Sequence, residues 1–198
     1  MYSLIFFSVI FLSNREKYKN VIENRVLNII IVIFWNVCCY ISVIIPSDPS
    51  IIPQPAFINS LFTIIFFLII GILILIFGIF LVAKTGLMRK SIGYENTESG
   101  LITTGLYQYF RHPIYAGISL ITLSLPFLLL NTDAFLIYPL ILTVNFIQGK
   151  IEEKFDMVTR FGKEYEQYKK NTHAFGPIWL WIIILGGLIF IDILIFLF

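Results

Sequence analysis

From Phe57 to Val82 the chain carries no charged side chain, and the same holds from Val26 to Ile45. About 20 apolar residues, rising about 1.5 Å each, cross the roughly 30 Å hydrocarbon core of a bilayer. Both runs meet that length, and Ile178 to Phe198 forms a third. Its one acid, Asp192, stands near the far end, where it can reach the opposite interface. Hydrophobic residues make up 58% of the 198 residues and charged residues 13%, against about 45–50% and about 25% in soluble domains. The excess must face lipid, so the expected fold is an all-α, polytopic transmembrane bundle.

A fourth apolar block, Ile114 to Gln148, is broken by Asn131, Thr132 and Asp133, which read as a polar turn between two helices. This helical hairpin brings the expected count to about five or six membrane helices. Pro126 is expected to kink its first arm, because proline removes a backbone donor and clashes with the preceding turn. The first twelve residues are apolar but short, and their basic cluster follows them, the wrong order for a secretory signal. They read as a partial or packed helix.

All 14 Lys and Arg fall in three stretches, Arg15 to Arg25, Lys84 to Arg111 and Lys150 to Lys170. With the crossings as assigned, the three lie on one side, which the positive-inside rule makes cytoplasmic. Adjacent Cys38 and Cys39 fit neither a disulfide framework nor a metal site, and read as packing residues. No nucleic-acid partner is expected.

Chemistry is expected in the two longer cytoplasmic stretches, residues 84 to 113 and 149 to 177. In the first, LITTGLYQYFRHPIYAG, Thr104 and Gly105 mark a turn, and Pro113 suits the first position of a helix, where its missing N–H has no intrahelical partner. The second, IEEKFDMVTRFGKEYEQYKK, reads as a helix or helix pair broken near Gly162. Taken singly, these features have ordinary readings. Arg-His-Pro with tyrosines can be an interfacial anchor, and Glu152 and Glu153 between Lys150 and Lys154 can be a solvated helix face. Tyr165 and Tyr168 at i, i+3 are more often packing than ligand contacts, and His173 reads as a plain loop residue.

Taken together and in order, separated by an apolar hairpin, the motifs L-I-T-T-G-L-Y-x-x-x-R-H-P-x-Y-x-G and E-E-x-x-x-x-x-x-x-F-G-x-x-Y-x-x-Y resemble the isoprenylcysteine carboxyl methyltransferase and phospholipid methyltransferase superfamily. The resemblance covers residues 99 to 177 in detail. It implies one integral membrane domain over residues 1–198, with a catalytic part at 84–177 and an additional helix at 178–198. It implies S-adenosyl-L-methionine as cofactor and a lipid or prenylated acceptor arriving from the bilayer, with carboxyl O-methylation expected first and phospholipid N-methylation as the alternative. By motif position, Ser99, Gly100, Leu101 and Ile102 correspond to a backbone strip beside the cofactor. Tyr107, His112, Pro113, Ile114 and Tyr115 correspond to its main pocket, and Glu153 to the cofactor-binding acid.

The residue types suit that ligand. A carboxylate accepts hydrogen bonds from a ribose diol or pairs with an amino group, a histidine can bond the ligand's carboxylate, and aromatic faces favour a sulfonium. Methyl transfer to an acceptor needs positioning and exclusion of water, and no metal or covalent nucleophile. Arg111 is the one expected catalytic-site cation, for an anionic acceptor or the cofactor's carboxylate. The chain departs from the resemblance at Gly149, where the isoprenylcysteine enzymes place a basic residue that contacts the acceptor, and in continuing past Pro177 with a full helix. A sterol-type NADPH reductase also carries Arg-His-Pro, but there Asn and Tyr follow the proline where this chain has Ile114. A non-catalytic scaffold is the remaining alternative.

Overall fold

The computed structural model describes residues 41, 60–91, 100–131 and 133–197. The chain divides into two compact units, Met1–Ser42 and Val43–Phe198, and the second holds all the elements below. The expected crossing from Val26 to Ile45, the first twelve residues and Ser99 lie outside the described residues.

Helix α1, Leu61–Ser91, has 31 residues. Ser60 starts it, its Oγ accepting the Thr63 backbone N–H at 3.2 Å. By length and composition α1 can cross a membrane; helix α2, Pro113–Leu129, and the Ile178–Ile191 part of the last helix are apolar but shorter. At about 1.5 Å per residue α1 measures roughly 46 Å, well beyond a 30 Å core. The basic segment after Val82, read from sequence as loop, therefore continues the helix to Ser91. Leu87, Met88, Arg89 and Lys90 are strong helix formers, and Arg89 and Lys90 in the last turn oppose the negative end of the helix dipole.

Pro113 takes the first position of α2, with His112 as its N-cap. The helix ends at Leu130, in the left-handed region at φ 51°, where the Leu130 and Asn131 N–H groups both bond the Pro126 carbonyl. After this turn α3, Asp133–Glu152, runs back, so the expected hairpin is formed. Its arms share a buried bond from Asn145 Nδ2 to Ser119 Oγ, 2.9 Å. Helix α1 lies along α2 through a glycine crossing. A Cβ on Gly78 would come within 2.9 Å of the Gly117 carbonyl oxygen, and one on Gly117 within 2.8 Å of that of Gly78. Close backbone approach through small residues is a common basis of helix packing in membranes. Phe67, Phe127 and Phe135 meet edge-to-face between the three helices, centroids 4.8–6.3 Å apart.

A π-helical turn, Glu153–Met157, follows α3 directly and leads into α4, Val158–Asn171, whose Gly162 leaves helical geometry at φ 50°, ψ −123°. The break expected near Gly162 is present. Residues 172–177 then run beside the start of the hairpin, with a bridge between Phe110 and His173, before α5, Ile178–Leu197. Trp181 Nε1 fastens α5 to that loop, donating to the Phe175 carbonyl at 2.7 Å.

Candidate functional site

Four pieces of chain meet at the end of the hairpin. The last turns of α1 bring Arg89. Residues 101–115 bring Leu101, Ile102, Tyr107 from a 3-10 turn, and the Arg111 to Tyr115 run. The α3 end and π turn bring Glu152 and Met157, and α4 brings Phe161, Tyr165 and Tyr168. These residues, with His112, Pro113 and Ile114 among them, line an open cleft. Backbone bonds fix the motif in place, from Arg111 N to the His173 carbonyl at 2.8 Å and from His112 N to the Ala174 carbonyl at 2.9 Å.

Behind the cleft sits a buried charge cluster. Glu153 Oε1 accepts Arg111 Nε at 2.8 Å and lies 3.2 Å from His112 Nε2. Its Oε2 lies 3.3 Å from Lys150 Nζ and 3.7 Å from Lys169 Nζ. Arg111 also donates to the Lys169 carbonyl at 3.2 Å and to that of Thr172. His112 Nδ1 is 3.5 Å from Glu152 Oε2. Burial alone would raise the Glu153 carboxyl, but the bonds from His112 and Arg111 outweigh it and hold the group well below its usual range. Burial opposes charge on Glu152 too, and His112, Arg89 and the Tyr115 hydroxyl overcome it. On α4, burial is the first cause that pushes the Tyr168 phenol up to about 12 and raises that of Tyr165. Both phenols are therefore neutral hydrogen-bonding groups. Tyr168 Oη donates to the Tyr107 carbonyl at 2.5 Å, whereas Tyr165 Oη is buried without a partner among the described residues.

The structure brings together most of the residues singled out from sequence. Leu101, Ile102, Tyr107, Arg111, His112, Pro113, Ile114 and Tyr115 all line the cleft. Gly100 is exposed and does not. Of the two acids, Glu152 lines the cleft and Glu153 does not, and their side-chain exposures, 28% and 3%, say the same. Arg111 has its Nε and one terminal nitrogen engaged within the protein. The lining residues that sequence reasoning missed are Arg89, Glu152, Met157, Phe161, Tyr165 and Tyr168. The Glu-Glu and Tyr-x-x-Tyr patterns were visible signals for three of them, while Arg89 had only its place in a basic stretch. Gly149 is filled from outside, since a Cβ there would lie 3.0 Å from the His112 ring.

Known proteins resemble part of the chain. The protein-S-isoprenylcysteine O-methyltransferase of Schizosaccharomyces pombe is 36% identical over 84 residues, covering 42% of this chain and 36% of that protein. Methanethiol S-methyltransferase 1 of Bradyrhizobium diazoefficiens is 31% identical over 86 residues, 43% of this chain and 29% of its own. The Xenopus laevis protein-S-isoprenylcysteine O-methyltransferase is 30% identical over 111 residues, 52% and 38%. The chain thus spans about a third of the length of these curated relatives. No solved structure matches it. The sequence profile described as phospholipid methyltransferase matches residues 66–164, half of the 198 residues and nearly all of the cleft, and the chain belongs to that family.

Proposed function

We propose that the chain is a membrane methyltransferase that uses S-adenosyl-L-methionine and methylates an amphiphile reaching the cleft from the bilayer. The observation that carries this reading is the cleft's own donor set. One partly open carboxylate, Glu152, stands among Tyr107, Tyr115, Tyr165 and Tyr168, and the Tyr165 hydroxyl is buried without a partner among the described residues. A carboxylate suits a ribose diol or an ammonium group, aromatic faces suit a sulfonium, and the orphaned hydroxyl offers one more bond. The residues present therefore fit the cofactor, and Glu152, Arg89, Tyr107, Tyr115 and Tyr165 are those that would hold it. When bound, the sulfonium supplies an activated methyl group. The protein's task is then to bind, orient and exclude water, and Leu101, Ile102, Ile114, Met157 and Phe161 give the cleft apolar walls for it.

For the acceptor, a prenylated or lipid carboxylate is the first reading, because two of the relatives are named for O-methylation of protein S-isoprenylcysteine. A small thiol is the second, because another is named for methanethiol. The catalytic face is read as cytoplasmic, from the basic clusters.

Calorimetric titration of the detergent-solubilised protein tests the cofactor. S-adenosylmethionine and S-adenosylhomocysteine are expected to bind, NADPH is not, and a folded Glu152→Ala variant should lose roughly tenfold or more in affinity, as removal of a bond to a charged group does. Binding of NADPH alone would move the assignment to a reductase. Binding of none of the three would make the chain non-catalytic.

A further inference from the structure

One imidazole faces two carboxylates. His112 Nδ1 lies 3.5 Å from Glu152 Oε2, an ion-pair distance, and Nε2 lies within hydrogen-bond reach of Glu153 Oε1 at 3.2 Å; the side chain is 4% exposed. A neutral imidazole has a single N–H and would aim a lone pair at one of these acids, whereas the imidazolium donates to both. We propose that His112 is a positioning residue, an imidazolium strap that holds the cleft-lining carboxylate of Glu152 against the anchored Glu153, so that ligand affinity depends on one buried proton. The identity of the ligand rests on the function proposed above; the protonation of the strap does not.

The surroundings of the ring suit this role. Gly149 leaves the room the ring occupies. Tyr115 and Phe175 flank it, with centroids 5.6 and 6.1 Å away. The neighbouring Arg111 shares Glu153 Oε1 with it, and Lys150 and Lys169 stand at the other oxygen of that acid. From α1, Arg89 acts on Glu152, as does the Tyr115 hydroxyl. Three cations besides His112 lie within 4 Å of Glu153, so loss of the histidine's proton leaves that acid well neutralised. Glu152 has fewer partners and faces the cleft, so it is the acid released. Burial by itself would lower the histidine's pKa; the bonds and charges of Glu152 and Glu153 prevail and raise it above 6.5. The strap is therefore closed below pH 6.5 and opens only as pH rises through the raised value.

The chain has two histidines, so ring-nitrogen NMR of histidine-labelled protein in detergent resolves the question, with His173→Gln assigning the exposed one. The His112 titration midpoint is expected above 6.5, with both ring nitrogens at imidazolium shifts below it, and Glu152→Gln should lower that midpoint. Calorimetry then follows S-adenosylhomocysteine affinity with pH. It should fall at the His112 midpoint in the native protein and show no such fall in His112→Asn, which binds roughly tenfold or more weakly throughout. A His112 midpoint at or below 6.5, or an affinity change that survives His112→Asn, would overturn the strap. If no adenosyl ligand binds at any pH, the proposed function fails, and the NMR result still decides the proton.

Discussion

At the scale of single residues, the Arg111 and Glu153 pair anchors the site. Their side chains are 6% and 3% exposed, so removing either leaves the other charge buried. Arg111 also closes the loop at Lys169 and Thr172 by donating to their carbonyls. That needs a planar fork of donors, which an ammonium lacks. Arg111→Ala should destabilise the protein by about 3–5 kcal/mol, the usual consequence of breaking a buried pair, and Arg111→Lys should recover only part of it, as read by thermal unfolding in detergent. The same cluster sets a pH window. Glu153 is held below 4.5, so its contribution is complete above that value and is lost as pH falls through the depressed one. His112 is raised above 6.5, so its contribution is complete below that value and is lost as pH rises. Both are whole between pH 4.5 and 6.5, and unfolding measured across pH should show stability sloping away on both sides, with the acid slope reduced in Glu153→Gln, where Glu152 alone remains depressed.

At the scale of elements, helix length and a glycine contact do the positioning. Because α1 has 31 residues, its last turns pass the end of a 30 Å slab and deliver Arg89 to the cleft. Gly78 and Gly117 set how closely α1 approaches α2. Gly117→Val should cost about 1–3 kcal/mol through overpacking, and because α2 begins at the cleft it should weaken adenosyl-ligand binding as well. Unfolding and calorimetry on one preparation check both, and unchanged values would show that the crossing tolerates a side chain. The apolar runs and the Asn131–Asp133 turn made the hairpin legible in sequence, because lipid solvation and turn chemistry are local. The end of α1 was not legible. Lys84, Arg89 and Lys90 are equally at home in a basic loop and in a helix that has left the bilayer, and only packing against α2 distinguishes them. The π turn at Glu153 was invisible for a similar reason. Adjacent glutamates look equivalent in sequence, and the turn that follows Glu152 makes one a wall of the cleft and buries the other.

Across the whole molecule, the site is held from both ends of the described chain. The motif from Leu101 to Tyr115 supplied most of the lining, and its place was readable because Arg-His-Pro and Glu-Glu stand in order on either side of the hairpin. Tyr165 and Tyr168 were read as packing, and they do pack against each other, with centroids 5.9 Å apart; that they also line the cleft depends on the fold. Helix α5, the segment that departs from the family resemblance, connects to the site through Phe175. The Phe175 ring lies against His112, Tyr115 and Phe146, its carbonyl accepts the Trp181 indole N–H, and the Trp181 ring meets it edge-on at 6.2 Å. Trp181 thus ties α5 to the wall behind the imidazole. Trp181→Phe keeps the ring and loses the bond, leaving a buried carbonyl unpaired at about 1–3 kcal/mol. Truncation after Pro177 removes both. Adenosyl-ligand affinity should therefore fall in the order native, Trp181→Phe, truncated chain, with the His112 ring-nitrogen shifts moving in the same order as its packing loosens. A truncated protein that binds with native affinity and native His112 shifts would show that α5 serves the membrane rather than the site.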